Sequence, residues 1–395
     1  MLNKEQIFFL SMLADYANGR KTVSADVDLN KVQQIAKRQQ LETLFFYQCW
    51  ELFENPEEKE SALSKLRAAL FLSTTRASYI QKIVEAFTKE NVVCSLVKGH
   101  ELEKLYEPNY VRTMSDTDIM IHSADRQQVD RILQELNFVC HHDVGDEWHY
   151  RKKHIFIEVH TSMVHAHKGN EKNVQYFNDL WNYGKVENGY HKLDWNFHFC
   201  YLIQHISGHF VMTGIGFRQF LDLAVVVQKV HLDWSVIERE LTKLGLWEFA
   251  LTCMAFCYRW FDVKFPVMRE FVDDDLFMAS TEKMFSDGVF GHDNAQNKDV
   301  SRMVEKGYYG GKSMHLSKLA IKCGVIFPRY ASLKDEHYCS FLKGRPYLLP
   351  VAWIWRFIYK IFVGKRMKNG IQALNVSSED AQVRQRLSYL KQWGL

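Results

Sequence analysis

The chain has 395 residues, 47% of them apolar and 25% charged, proportions of a globular protein with material for one large core or about two to three smaller ones. A net charge of +3 gives no whole-protein case for nucleic-acid binding. Eight scattered cysteines without a C-x-x-C pair read as reduced thiols of a cytoplasmic protein, and the opening MLNKEQIFFLSMLADYANG has too short an apolar run, with acids in it, for a signal peptide.

Residues 4–18 read as an amphipathic helix with Asn3 as N-cap and Gly19 just past the end. A second helix is predicted from about Asn30 to Leu52, on Val32, Ile35, Ala36, Leu44 and Phe45. A third, long one is predicted over about Ser61–Glu90, with a buried stripe of Leu63, Leu66, Leu70, Ile80, Ile83, Val84 and Phe87. Residues 1–90 thus form an N-terminal helical region.

A different pattern follows in 91–192. An apolar run, Val92–Val97, meets a Lys98-Gly99 turn and a short helical segment. Ser115-Asp116-Thr117-Asp118-Ile119-Met120-Ile121 then alternates like a strand, so that Asp116 and Asp118 share a face. Two carboxylates so close repel each other, and desolvation adds to the cost. A divalent cation between them removes the penalty, and carboxylate oxygens plus substrate phosphates suit Mg²⁺. Taken alone, a D-x-D is more often a solvated strand end or a turn. Here a helix over Arg126–Asn137, a short strand from Phe138 and a polar hairpin candidate at His149–Lys152 lead to a second strand-like run, His154–His160. It carries Glu158, an acid in apolar surroundings that calls for a partner. A small mixed sheet with Asp116, Asp118 and Glu158 on its exposed face is expected.

From Leu193 to the end, helical patterns return. His205 and His209 have metal-ligand spacing, but Ile206 stands where H-E-x-x-H needs Glu, which favours a packed pair. Arg218 and Asp222 lie one helical turn apart and could pair, and a Trp-containing helix is predicted over Trp234–Leu244. Cys253 and Cys257 sit at core spacing. Asp287–His315, rich in glycine and polar residues, reads as a mobile loop. Its GYYGGKS is not a phosphate loop, because Lys306 occupies the first glycine position and no strand precedes it. The apolar stretch Tyr347–Val363 is short for a membrane span, is interrupted by Pro350, and contains Arg356 and Lys360. Docking on the protein is favoured there over peripheral membrane contact through its aromatics and Lys365 and Arg366.

Strand, Gly turn, helix, D-x-D strand and a later single-acid strand resemble the DNA polymerase β-like nucleotidyltransferase superfamily. Lys98-Gly99, Arg112 shortly before the aspartates, and Glu158-Val159-His160 are most similar to the uncharacterised bacterial nucleotidyltransferase family. H-x-x-x-H, R-x-x-x-D and the Trp helix extend the likeness. The chain departs from the superfamily in having Gly99-His100 where Gly-Ser or Gly-Gly is usual, and a slightly longer gap to Asp116.

The resemblance implies an α+β, mostly helical protein, with a nucleotidyltransferase core flanked by helical regions. It implies Mg²⁺ or Mn²⁺ held by Asp116, Asp118 and Glu158, and a nucleoside triphosphate as co-substrate. Lys98, Gly99 and Arg112 are the expected phosphate-binding residues, and His160, Arg218 and Asp222 accessory ones. Arg112 could instead clamp nearby acids. The acceptor is expected to be a protein, sugar or small-molecule hydroxyl rather than nucleic acid. The alternative is a catalytically weak nucleotide-binding or scaffolding module of a surface-polysaccharide or peptide-maturation system.

Overall fold

The computed structural model describes residues 1–23, 26–144, 147–164, 170–212, 214–288, 330–333, 337–342, 344–362 and 377–395. The chain divides into two compact units, 1–294 with 392–395, and 295–391. Most of the glycine-rich segment predicted as a loop, from residue 289 on, lies outside the described residues.

Helix α1 (Lys4–Ala17) starts at Asn3, whose side chain accepts from Gln6 N–H while the Gln6 side chain caps Asn3 in return. The helix predicted over Asn30–Leu52 is two, α2 (Leu29–Arg38) and α3 (Glu42–Cys49), with a single 3₁₀ turn after the second. Gln40 breaks the run at φ 55°. The neighbouring Gln39 turns inward, donates to the Met284 carbonyl at 2.9 Å and accepts from Phe217 N–H at 3.1 Å. Those distant partners decide the break, which is why local periodicity does not reveal it. Helix α4 (Pro56–Lys89) starts earlier than predicted, because Asn55 caps it and Pro56 takes the first position, where a missing N–H costs nothing. Its 34 residues span roughly 50 Å.

The central sheet has five strands in the order β1-β2-β5-β4-β3: β1 (Cys94–Leu96), β2 (Thr117–Ile121), β3 (Val139–Val144), β4 (Glu147–Lys152) and β5 (Ile155–His160). Strands β2 and β5 run parallel, and all other neighbours are antiparallel. The polar hairpin expected at His149–Lys152 is itself strand β4. Short α5 (Gly99–Glu103) and then α6 (Arg126–Glu135) lie between these strands in the chain. Alternation sets the two faces. Ile119, Ile121, Ile155, Ile157, Val159, Trp148 and Tyr150 pack with Ile80, Ile83 and Phe87 of α4 and with Val129, Ile132 and Leu133 of α6 in one buried cluster. Asp118, Glu158, His160 and His149 occupy the alternate positions and so belong to the other face.

Helix α7 (Glu171–Asn178) and a two-stranded ribbon, β6 (Gly184–Glu187) with β7 (Tyr190–Leu193), lead to the C-terminal helices of the first unit. These are α8 (Trp195–Met212), α9 (Phe217–Lys229), α10 (Trp234–Leu244), α11 (Trp247–Phe261) and α12 (Asp274–Asp287). Aromatic rings weld them together: Trp260 meets Phe217 and Phe220 edge-on, each at 5.1 Å, and Trp393 lies 4.2 Å from Phe256. Cys253 and Cys257 are fully buried in this layer. The fold is a mostly helical α+β protein around a small mixed sheet.

In the second unit a helix over Leu349–Phe362 docks Ala352 against Leu333, Cys339 and Leu342, and exposes Val351, Ile354 and Trp355. Among the described residues no helix is long and apolar enough to cross a membrane.

Candidate active site

The site begins with the register of β2 and β5. Asp118 pairs with Glu158, and Met120 with His160. Parallel pairing puts the two carboxylates side by side on the face away from the apolar cluster, with His160 one step further along. This face was expected to be exposed, but Asp118 and His160 are buried in it and Glu158 is partly so. Ligand atoms of Asp118, Glu158 and His160 all lie within 4.8 Å of one another. Asp116 immediately precedes β2 and shares the wall of a cavity of about 450 Å³ with Glu158.

Two cations hold Asp118. Its Oδ1 accepts from Lys98 Nζ at 2.9 Å and from His160 Nε2 at 3.1 Å. Burial alone would raise the Asp118 pKa, but the Lys98 charge and these hydrogen bonds overcome it and keep the group well below the usual carboxylate range. Burial pulls His160 down, yet its bonds to Asp118 and Glu158 lift it to about 9, so it is an imidazolium at neutral pH. Burial likewise opposes the Lys98 charge, and Asp118 more than restores it. His160 also lowers Glu158. Among the described residues no cation bonds to Asp116: burial and the charges of Asp118 and Glu158 push it up to about 6.

The Lys98-Gly99 turn is built from three directions. Lys98 sits at φ 49°, ψ −116°, a conformation unfavourable for a side-chain-bearing residue. Its N–H donates to His198 Nε2 at 3.1 Å. His198 is 1% exposed, and burial together with Arg112 and Lys98 pushes it down to about 3, so the neutral ring is an acceptor there. Gly99 is tightly enclosed: an added Cβ would lie 3.2 Å from Arg112 Nη1 and 3.3 Å from Met114 Sδ.

Arg112 itself is buried and held by a fork. Nε and Nη2 donate to the two oxygens of Asp222 at 2.7 and 2.9 Å, while Nη1 reaches the Gly99 carbonyl at 3.3 Å. Tyr106 Oη adds a third bond to Asp222 at 2.7 Å. Arg112 does clamp an acid, but it is Asp222, 110 residues away, and not the nearby aspartates of the other reading. The one-turn pair of Arg218 with Asp222 does not form: Arg218 donates to Gln40 of the α2–α3 break, and Asp222 is taken by Arg112. His205 and His209 pack edge to face at 4.6 Å, and they belong to no metal-binding group found among the described residues.

The structure therefore gathers Lys98, Asp118, Glu158 and His160, with Asp116 beside them and Gly99 in the adjoining turn. It places Arg112 and Asp222 behind that turn and ties Arg218 to Gln40. His198 as the anchor of the Lys98 backbone, and Tyr106 as a support of Asp222, were missed by sequence reasoning. No signal marks either, since their partners lie 100 and 116 residues away in the chain. The donor set is carboxylate-rich and carries a half-buried, repelled Asp116, which fits a divalent cation.

Searches of curated proteins and of solved structures return no match. The family model described as "Uncharacterised nucleotidyltransferase" matches residues 25–262, a span that holds the whole sheet, the turn and Asp222. The chain belongs to that family.

Proposed function

We propose that this protein is a metal-dependent nucleotidyltransferase that moves a nucleoside monophosphate from a nucleoside triphosphate to a hydroxyl acceptor. The observation that carries the reading is the side-by-side placement of Asp118 and Glu158 on adjacent parallel strands, beside the Lys98-Gly99 turn, in a chain of this family.

Asp116, Asp118 and Glu158 would hold Mg²⁺ or Mn²⁺, which when bound supplies positive charge to the triphosphate oxygens. The remaining work falls to side chains. Glu158, kept ionised by His160, takes the proton of the acceptor hydroxyl. The acceptor oxygen forms a bond to the α-phosphorus, the bond from that phosphorus to the bridging oxygen breaks, and pyrophosphate leaves. Lys98 is placed to exchange Asp118 for a phosphate oxygen. The Gly99 turn offers backbone N–H to the phosphates, while its missing side chain makes room for Arg112 and Met114. Arg112 and Asp222 brace the turn from behind. The sequence, with a net charge of +3, has no basic tract or RNA module that would favour nucleic acid, so a protein, sugar or small-molecule acceptor is preferred.

The test is to incubate the protein with Mg²⁺ and each α-labelled nucleoside triphosphate in the presence of cell extract. Label should move to an acceptor, and Asp118→Asn should abolish the transfer. Absence of both transfer and Mg²⁺-dependent nucleotide binding in the wild type would refute the reading.

A further inference from the structure

The sheet face of Asp118 and Glu158 carries a second set of ligand-type side chains beyond the family-like carboxylates. Strand register produces it. His149 of β4 pairs with Glu158 of β5, and Glu147 pairs with His160. On the far side His142 of β3 pairs with His149. Since Asp118 pairs with Glu158, one row of metal-ligand residue types, Asp118–Glu158–His149–His142, crosses four strands.

Glu147, His149 and Glu158 form a compact group within it, with ligand atoms within 4.8 Å of one another. His149 Nε2 lies 2.5 Å from Glu147 Oε1, and Nδ1 lies 3.7 Å from Glu158 Oε1. The three side chains are 24–28% exposed, so an ion from solvent reaches them without unfolding. The His142 ring lies 4.8 Å from that of His149, and the His141 ring 5.9 Å. His149 and Glu158 line the same cavity as Asp116.

The donor chemistry differs from that of the aspartates. Mg²⁺ takes oxygen ligands and binds imidazole poorly, whereas a mixed imidazole–carboxylate set suits Mn²⁺, Fe²⁺, Co²⁺ and Zn²⁺. An imidazole between two carboxylates also has a purely structural use, as a hydrogen-bonded bridge. Two features favour an ion: the group is open to solvent, and further imidazoles stand beside it. We propose that Glu147, His149 and Glu158 form a second divalent-cation site, selective for transition ions over Mg²⁺, which shares Glu158 with the site of the proposed transfer reaction. The sharing rests on that reaction, but the ion site itself does not.

Co²⁺ serves as the probe, added to chelator-treated full-length protein with millimolar Mg²⁺ present throughout. Visible absorption should report a bound Co²⁺ that Mg²⁺ does not displace and Zn²⁺ does. His149→Ala and the milder Glu147→Gln should each weaken Co²⁺ by at least about tenfold, the lower end of the cost of disturbing a metal ligand's surroundings. His160→Ala should cost less than His149→Ala, because His160 touches this group only through Glu158. Circular dichroism of each variant shows whether it is folded. If His149→Ala fails to fold, Glu147→Gln decides. Co²⁺ that is displaced by Mg²⁺, or lost with His160→Ala while His149→Ala retains it, overturns the proposal. The double variant Asp116→Asn/Asp118→Asn separates the two readings: it should keep Co²⁺ while losing Mg²⁺-dependent nucleotide binding. Loss of Co²⁺ in that variant also overturns the second site.

Discussion

Lys98 and His160 donate to the same oxygen of Asp118, at 2.9 and 3.1 Å. That oxygen is one a metal ion would use, so the resting protein neutralises Asp118 with its own cations.

Removing one of them should therefore separate stability from metal affinity. Lys98→Met should lower stability without metal by about 1.5–3 kcal/mol, the scale of a hydrogen bond to a charged group. The same variant should gain more from Mg²⁺ alone than the wild type does, because the ammonium no longer competes for Oδ1. Thermal melts with and without Mg²⁺, in the absence of nucleotide, measure both effects. An Mg²⁺ shift equal to or smaller than that of the wild type would show that Lys98 does not compete with the ion.

Asp116 sets a pH limit. Its carboxyl is raised to about 6, so metal binding there must release a proton at lower pH. Mg²⁺-dependent nucleotide binding should be flat above that value and weaken by up to about tenfold per unit below it. Calorimetric titrations across this range test the slope, and Asp116→Asn should remove the dependence along with much of the binding.

His160 and Asp118 both stabilise the fold, but their contributions depend on pH in opposite directions. His160 is raised from its ordinary 6.5 to about 9 in the folded protein. The stabilisation it brings is complete below 6.5 and is lost as pH climbs through about 9. Asp118 is lowered, so its contribution is complete above the ordinary aspartate range and is lost only under strong acid. Denaturant midpoints should fall between neutral pH and 9.5, and His160→Asn should flatten that limb, starting from a lower plateau.

Asp222 is the counter-ion of a buried cation. Asp222→Asn should cost about 3–5 kcal/mol, because it leaves the Arg112 guanidinium without its charge partner. Adding Arg112→Met should recover a large part of the loss. Urea unfolding of the two single variants and the double variant completes the cycle. If the double variant is as unstable as the sum of the singles, the fork is not a coupled pair.

Backbone geometry at Lys98 predicts an unusual order of stabilities. Glycine adopts φ 49°, ψ −116° freely, whereas alanine does not. Lys98→Gly should therefore be more stable than Lys98→Ala by about 1 kcal/mol, although glycine ordinarily loses such comparisons. Matched urea curves decide the order.

The strands and their acids were legible because alternation is a local signal. Asp118, Glu158 and His160 reach one face by the period of two, and neighbouring apolar residues identify the other face. The long helix was legible for the same reason, in its own period. What the sequence left hidden depends on distant partners. Nothing near Gln39 announces Phe217 and Met284, and nothing near Arg112 selects Asp222 over the aspartates four and six residues away. His149 became a neighbour of Glu158 only through the register of the β4–β5 hairpin, which composition does not determine.

The tie between Arg112 and Asp222 also has a bearing on how the chain is born. The two residues are 110 positions apart, and the bond from Lys98 N–H to His198 spans 100. A ribosome adding about 5–20 residues per second takes roughly 5–20 seconds to make that intervening stretch. Throughout that time Arg112 lacks its carboxylate partner and the Lys98 turn lacks its anchor. The site is therefore assembled late in synthesis, and a truncated product ending before α9 would carry every acid of the site without the clasp that sets the turn.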